Sequence, residues 1–236
     1  MGSAPTHLVH VSLREQAVTV IRQGLITGEI VPGEIYSAAG VADQLGVSSS
    51  PVREAMLALV NEGLMEVVRN RGFRVAPISD VDRQNIYDLR VTLEVPAMRS
   101  LAARGLDEVE RERFGDVADE VTESARRGDR MGYLEADRRL HRGLIDLMGN
   151  KRLTNLVDRL CDQSWLYGVK DLSDRRLLDA SAKEHRPILN AIASRDAQLV
   201  ERLTIAHLAR IERCWALGRE ATAPRAKHPT SRAASA

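Results

Sequence analysis

The chain of 236 residues is long enough for two domains, each with its own hydrophobic core. Charged residues make up 28% of it, hydrophobic residues 44% and aromatic residues 3%, which is typical of a soluble protein built from Leu-, Ala- and Val-rich helices. The formal net charge of +1 argues against a strongly basic, non-specific nucleic-acid binder, and no apolar run approaches the roughly 18 residues of a membrane span, so we expect a cytoplasmic protein without a membrane segment.

Three short helices are predicted at the N-terminal end of the chain. Apolar residues recur at helical spacing, and the segments are Ser12–Ile26, Ser37–Leu45 and a third that begins beyond Val47 and ends at Gly63. Ser48, Ser49 and Ser50 are candidate caps of the third helix, with Pro51 in its first turn. A short helix, a glycine turn and a second helix that opens with hydroxyl residues are typical of a helix-turn-helix.

A β-hairpin is predicted directly after these helices. Leu64–Val68 and Phe73–Ala76 have β character, and the segment 69–72 between them, Arg-Asn-Arg-Gly, contains residues that tolerate positive φ. The helices and the hairpin together predict a winged helix-turn-helix domain over residues 1–78.

The remainder of the chain shows helical periodicity without further strands. Six helices are predicted, near Asp80–Arg104, Asp107–Arg127, Asp129–Met148, Lys151–Val169, Asp174–Ser194 and Ala197–Leu217. The fold class is therefore mainly α, with an all-helical domain over 79–217. Residues 218–236 lack periodicity and are predicted to form a disordered tail.

The DNA-binding residues are predicted from their positions, because residues 1–78 contain six Arg against seven Asp or Glu. Arg53 lies on the first turn of the second helix of the motif, where a guanidinium can pair with guanine O6 and N7. Ser48, Ser49 and Ser50 can hold phosphates at the helix N-terminus. Arg69, Arg71, Gly72 and Arg74 lie on or beside the wing. The alternative is a structural module in which Arg53 pairs with Glu54 or Glu62.

The amino-acid sequence of this region resembles that of the GntR family of transcription regulators. The matching segments are Gly28-Glu29-Ile30-Val31-Pro32-Gly33, Val41-Ala42-Asp43-Gln44-Leu45-Gly46-Val47-Ser48, Pro51-Val52-Arg53-Glu54-Ala55, Glu62-Gly63-Leu64 and Arg71-Gly72-Phe73-Arg74-Val75. The resemblance implies binding to double-stranded DNA. Ser49 stands where the family usually has an Arg that contacts bases or phosphates, so the resemblance does not imply the family's usual operator sequence for this chain.

Four polar residues of the helical domain are predicted to point inward. His141 follows Asp137 by four residues on an apolar helix face, and His185 and His207 lie on apolar faces of later helices. Each histidine alone fits a hydrogen-bonded core imidazole, but one divalent cation would coordinate all four side chains. Zinc is the first choice for such a set, with manganese, nickel or iron as alternatives.

The same residues resemble the metal-binding form of the FCD domain in the FadR-like subfamily. The matching segments are Asp137-Arg138-Arg139-Leu140-His141, Glu184-His185-Arg186-Pro187-Ile188-Leu189-Asn190-Ala191-Ile192 with Asp196, and His207-Leu208. The resemblance implies a metal at Asp137, His141, His185 and His207 that helps to bind a small carboxylate effector. Arg90 and Glu94 match the family's Arg-x-x-x-Glu, so Arg90 is a candidate clamp for the acid, or simply the partner of Glu94 in a helix salt bridge.

These features predict a non-enzymatic regulator that binds a palindromic operator as a homodimer and responds to a small acid, and we expect a repressor before an activator. A metalloenzyme built on the same four ligands is the alternative, although the chain lacks a His-Glu-x-x-His helix, and Glu184 is expected to point away from the metal face. A helical interaction module with a structural metal is the third alternative.

Overall fold

The computed structural model describes residues 12–76, 79–168 and 175–222, which form ten helices and three strands. The elements are α1 (Leu13–Thr27), β1 (Ile35–Tyr36), α2 (Ala38–Leu45), α3 (Ser49–Asn61), β2 (Met65–Val68), β3 (Gly72–Val75), α4 (Asp80–Arg104), α5 (Glu108–Arg127), α6 (Arg130–Asp146), α7 (Lys151–Gly168), α8 (Arg175–Ala182), α9 (His185–Ala193) and α10 (Ala197–Thr222). Of these helices, none is both long and apolar enough to cross a membrane.

The N-terminal unit packs α1, α2 and α3 against a small antiparallel sheet. Its core contains the fully buried side chains of Val52, Met56 and Leu59 from α3, together with apolar residues of α1, α2 and the sheet. These three residues recur at the spacing of one helix face, so α3 buries that face and leaves the opposite one exposed. The N-terminal unit is thus a winged helix-turn-helix, as the sequence predicts.

The sheet contains a strand that the sequence analysis missed. The strand order is β1-β3-β2, and β1 pairs Ile35 with Arg74 and Tyr36 with Phe73. The prediction of a two-stranded wing was incomplete because β1 is only two residues long, too short for an alternating pattern, and its partner lies almost 40 residues away.

Side chains that cap the backbone account for the starts of three helices. Ser12 and Glu15 form a reciprocal capping box on α1, Ser79 and Asp82 form one on α4, and Asp107 and Glu110 form one on α5. Each box satisfies backbone N–H groups that have no partner inside the helix. These pairs are three residues apart in the sequence, so the observed helix starts lie within one residue of the predicted ones.

The C-terminal domain is an all-helical bundle, as predicted, but it has seven helices where six were expected. The segment predicted as one helix, Asp174–Ser194, is divided into α8 and α9 at Lys183 and Glu184. Pro187 explains the break, because its nitrogen cannot donate to the carbonyl of Lys183 and its ring would clash with that carbonyl. At the third position of α9 the missing N–H costs nothing, since first-turn N–H groups have no helical partner.

The last helix is longer than predicted. Helix α10 continues through Gly218 to Thr222, into the segment that was expected to begin a disordered tail. Residues 223–236 lie outside the described part of the chain, so the rest of the tail prediction stays a prediction.

A substitution in the wing tests the close approach of β3 to β1. Gly72 has φ +133, and a Cβ there would lie 2.4 Å from the backbone oxygen of Tyr36 in β1. We therefore expect Gly72→Ala to destabilise the protein by about 3 kcal/mol or more. Gly46 is the matched control: it has φ +66, but no atom lies within 4 Å of an added Cβ, so Gly46→Ala should cost only about 1 kcal/mol. Urea unfolding measures both, and equal losses would show that strain at Gly72 comes from φ alone.

Candidate metal centre and DNA-binding surface

Four ligand-type side chains from three helices meet in the core of the bundle. Asp137 and His141 lie one turn apart on α6, His185 is the first residue of α9, and His207 lies on α10. One ligand atom from each lies within 4.8 Å of those of the others, and all four residues are buried. The structure thus brings together the four residues that the sequence singles out.

The hydrogen bonds around the three imidazoles assign their tautomers. Nδ1 of His141 lies 3.1 Å from a carboxylate oxygen of Glu94, and Nδ1 of His207 lies 3.0 Å from a carboxylate oxygen of Glu184. Nδ1 of His185 lies 3.2 Å from the carbonyl oxygen of Ala182. Ionised carboxylates and carbonyls only accept hydrogen bonds, so each Nδ1 carries the proton and donates it. In the neutral state every Nε2 therefore presents a lone pair.

These lone pairs converge on one point. The Nε2 atoms of His141 and His207 are 3.0 Å apart, which is repulsive unless a proton or a cation lies between them. The Nε2 of His185 and Oδ1 of Asp137 are 3.1 Å apart, yet neither buried atom has a hydrogen-bond partner among the described residues. Burying polar atoms without partners costs free energy, and one divalent cation would coordinate all four ligand atoms. The donor set therefore fits a metal ion.

Charge and burial in the cluster favour ionised acids beside a neutral His207. Burial raises the pKa of Glu94, but Arg90 and His141 lower it by more, and it falls to about 2. Burial likewise opposes ionisation of Asp137, yet the three imidazoles hold its pKa below its usual value. Burial lowers the pKa of His207 to about 4, against the contribution of Glu184. This is the protonation state that binds a cation.

Arg90 and Glu94 form a buried ion pair beside the cluster. Arg90 donates through Nε to Glu94 at 2.6 Å, with 2% and 0% of the two side chains exposed. Nη2 of Arg90 is buried and has no hydrogen-bond partner among the described residues. Glu94 uses one oxygen for Arg90 and the other for His141. The helix salt bridge therefore exists, and it leaves one guanidinium nitrogen available.

Glu184, expected only to point away from the metal face, contacts one of the candidate ligands. It accepts hydrogen bonds from Nδ1 of His207, 3.0 Å away, and from Nε of Arg210, 2.6 Å away. Helical spacing around His185 could not predict this, because the contact joins α10 to the turn before α9.

The exposed end of α3 faces the wing. Ser48 is the N-cap residue of α3, but its side chain makes no capping hydrogen bond, and Ser49 and Ser50 are exposed beside it. Arg53 and Arg71 line one cleft of about 420 Å³ between the start of α3 and the wing, which Gly72 also lines. Arg53 of the helix therefore lies in the same cleft as Arg71 and Gly72 of the wing.

The arginines of this surface differ in their partners. Arg53, Arg69 and Arg71 are exposed, and none of them forms an ion pair with a carboxylate in residues 12–76 or elsewhere in the described chain. The alternative partners of Arg53 are engaged elsewhere, since Glu54 accepts from Ser50 and Glu62 pairs with Arg22. Arg74 differs from the other three because it is held by Glu66 on the neighbouring strand.

A winged helix-turn-helix joined to a helical bundle is the architecture of a class of DNA-binding transcription regulators. The chain belongs to the GntR family: the model for bacterial regulatory proteins of the gntR family matches residues 13–75, and that for the FCD domain matches residues 85–210. It is thus a transcription regulator with a GntR-type DNA-binding domain and an FCD domain, and not an enzyme.

Individual relatives agree with this assignment. The chain is 29% identical over 209 residues to a probable D-xylose utilization operon transcriptional repressor of Paenarthrobacter nicotinovorans, covering 89% of this chain and 91% of that protein. It is 29% identical over 219 residues to the regulator LutR of Bacillus subtilis, covering 78% and 93%. The solved structure of Escherichia coli McbR has the same fold, with a TM-score of 0.76 and 20% identity over 90% of this chain and all of that one.

The buried state of His207 predicts a pH dependence of stability for the metal-free protein. An unfolded histidine takes up its proton near pH 6.5, whereas folded His207 stays neutral down to about pH 4. The unfolded state therefore binds more protons between these values, and stability should fall by about 3 kcal/mol as the pH drops from 6.5 to 4. The loss linked to Glu94 comes lower, between its ordinary 4.5 and about 2.

Urea unfolding across this range, with chelator present, measures the effect, and His207→Gln should flatten the slope above pH 4. A variant with the wild-type slope would show that another group causes it.

Proposed function

We propose that this regulator controls its operator through a small carboxylate effector bound at a metal ion in the FCD domain. The observation that carries the proposal is the convergence of three unprotonated Nε2 atoms and the carboxylate of Asp137, beside a buried guanidinium nitrogen with no described partner. Relatives named as repressors support repression as the direction of control.

Asp137, His141, His185 and His207 would hold the ion. Zinc suits one carboxylate and three imidazoles, and manganese, nickel or iron are alternatives. Four protein ligands leave further positions on a metal that accepts five or six, and there the ion would supply a Lewis-acid site for a carboxylate oxygen. The partners Glu94 and Glu184 would keep His141 and His207 in the tautomer that can ligate.

Arg90 would bind the acid. Its Nε is used by Glu94, but its buried Nη2 needs an acceptor, and a carboxylate is the acceptor that a guanidinium prefers. Although burial lowers the pKa of Arg90, the neighbouring carboxylates of Glu94 and Asp137 raise it, so Arg90 keeps its charge. Arg90 is thus a positive group close to the ion site, suited to a small organic acid.

The DNA contacts would come from the surface formed by α3 and the wing. Arg53 would read a guanine, Ser48, Ser49 and Ser50 would hold phosphates, and Arg69, Arg71 and Gly72 would follow the backbone or the minor groove. One helix-turn-helix covers only a half-site, so we propose a homodimer on a palindromic operator. A DNA target also implies that the protein acts in the cytoplasm.

Arg53→Ala tests the DNA contact. We expect it to weaken binding to the selected operator by roughly 1–3 kcal/mol, mainly through lost discrimination at one guanine. The operator is obtained by selection from random duplexes, and affinity is measured by fluorescence anisotropy on the operator and on single-base variants. Arg111→Ala removes the same charge from an exposed position on α5 and should leave binding unchanged. An equal loss on every DNA sequence would make Arg53 a phosphate contact.

Loss of a metal ligand tests the FCD site. We expect His185→Ala and His207→Ala to lose bound metal and the stability that comes with it, about 4 kcal/mol at a free ion concentration of roughly 1,000 times Kd. Chelation of the wild type should have the same effect. Metal content by mass spectrometry and thermal melting measure both. Leu189→Ala, a buried substitution on α9, should lower stability but keep the metal.

The same variants separate effector response from DNA binding. With a panel of hydroxy- and dicarboxylic acids, wild-type operator affinity should change for at least one acid, whereas the ligand variants should bind the operator and ignore that acid. Full metal content, normal melting and a normal acid response in a variant lacking both His185 and His207 would refute the site and leave three ordinary core histidines.

A further inference from the structure

The two domains are joined by an ion pair at the end of the recognition helix. Arg22, on α1, donates through Nη2 to the carboxylate of Glu62 at 2.7 Å and through Nη1 to the carboxylate of Asp162 on α7. Glu62 is the C-cap residue of α3, the helix that carries Arg53. One guanidinium therefore bridges the DNA-binding domain and the bundle at the end of α3.

A second contact holds the backbone at the same place. Gln163, next to Asp162 on α7, donates through Nε2 to the carbonyl oxygen of Glu62 at 2.9 Å. A Cβ on Gly63 would lie 2.4 Å from that nitrogen, so the glycine permits the approach. The side chain and the main chain of Glu62 are thus both tied to α7. Such a double contact fixes the position of the helix end and not merely its distance from the bundle.

Asp162 is shared with the helix that carries two of the proposed metal ligands. Its other oxygen lies 3.0 Å from Nε of Arg138, and Arg138 also binds Asp158 at 2.8 Å. Arg138 directly follows Asp137 on α6, and His141 is one turn beyond. Only 9% of the Asp162 side chain and 19% of the Arg22 side chain are exposed, so solvent screens this junction weakly.

The space beside the junction allows it to rearrange. A cavity of about 400 Å³ lies between α1 and α6, and Arg22, Arg138 and Asp162 are among its lining residues. A tightly packed interface would resist a small shift of α6, whereas side chains that border a cavity can exchange partners when the helix moves.

We propose that Arg22, Asp162 and Gln163 are positioning residues that transmit the state of the metal centre to the recognition helix. A change at Asp137 and His141 displaces α6 and with it Arg138, which shares the Asp162 carboxylate with Arg22. Arg22 and Gln163 carry that displacement to Glu62 and so to the end of α3. This inference rests on the proposed function, because it needs an ion at the FCD site.

Hydrogen exchange of the full-length protein tests the inference. Peptide exchange rates are compared for chelated protein and for protein with Zn²⁺ alone. In the wild type, Zn²⁺ should slow exchange in the bundle helices α6, α9 and α10. It should also slow exchange in α1 and in the C-terminal half of α3. In Arg22→Gln the slowing in the bundle should persist, while that in α1 and α3 should fall by roughly threefold to tenfold. Arg22→Lys keeps the charge but not the fork, and should recover part of it.

The matched control breaks an ion pair inside the bundle. Glu201→Gln removes the contact of Arg99 with Glu201, 3.1 Å long, between α4 and α10. It should leave the response of α1 and α3 to Zn²⁺ unchanged. Asp162→Asn should act like Arg22→Gln, and the double variant should add little to either, because both changes remove one interaction.

The outcomes separate this inference from the proposal beneath it. If Zn²⁺ slows exchange nowhere, the metal site is wrong and the inference fails with it. If Zn²⁺ slows the bundle but never α1 and α3, the site stands and the transmission is refuted. If Arg22→Gln lowers stability yet keeps the full response of α3, Arg22 is only a structural contact.

Discussion

The arrangement of the FCD bundle depends on three imidazole lone pairs that point at one another. Glu94, the carbonyl of Ala182 and Glu184 each accept a hydrogen bond from Nδ1 of one histidine, so none of the three Nε2 atoms carries a proton to donate while the ring is neutral. Packing alone would not select such a geometry, since it is repulsive without a positive charge at the centre. The helices α4, α6, α9 and α10 therefore supply a buried cluster that could hold a cation.

In the DNA-binding unit, the positions of the charged residues matter more than their net charge. Its acids outnumber its arginines, yet Glu15 caps α1, Glu62 binds Arg22, and Glu66 binds Arg74. These carboxylates are used inside the fold, and the arginines at the start of α3 and on the wing face solvent without them. The net charge of a small domain is thus a poor guide to its binding surface, because local pairing decides the potential that a ligand meets.

Local patterns in the sequence predicted most of the fold, and distant contacts explain what they missed. Capping residues and apolar spacing located the helices to within a few residues, and the spacing of Asp137 and His141 placed both on one inward face. The strand β1, the partner of Glu184 and the bridge from Arg22 to Asp162 depend on residues far apart in the chain, for which a single sequence carries no signal. The break before α9 has a local signal in Pro187. The apolar face of Asp174–Ser194 continues across the break, and for that reason a single helix was predicted there.

Glu94 joins a candidate metal ligand to Arg90, since one of its oxygens accepts from Arg90 and the other from His141. If the ion and the acid bind as proposed, one carboxylate orients a ligand of the first and the clamp of the second, so each would change the affinity for the other by the same factor. Where that coupling is favourable, a cell short of the ion would respond less to the acid. The protein would then report the two together and not either one alone.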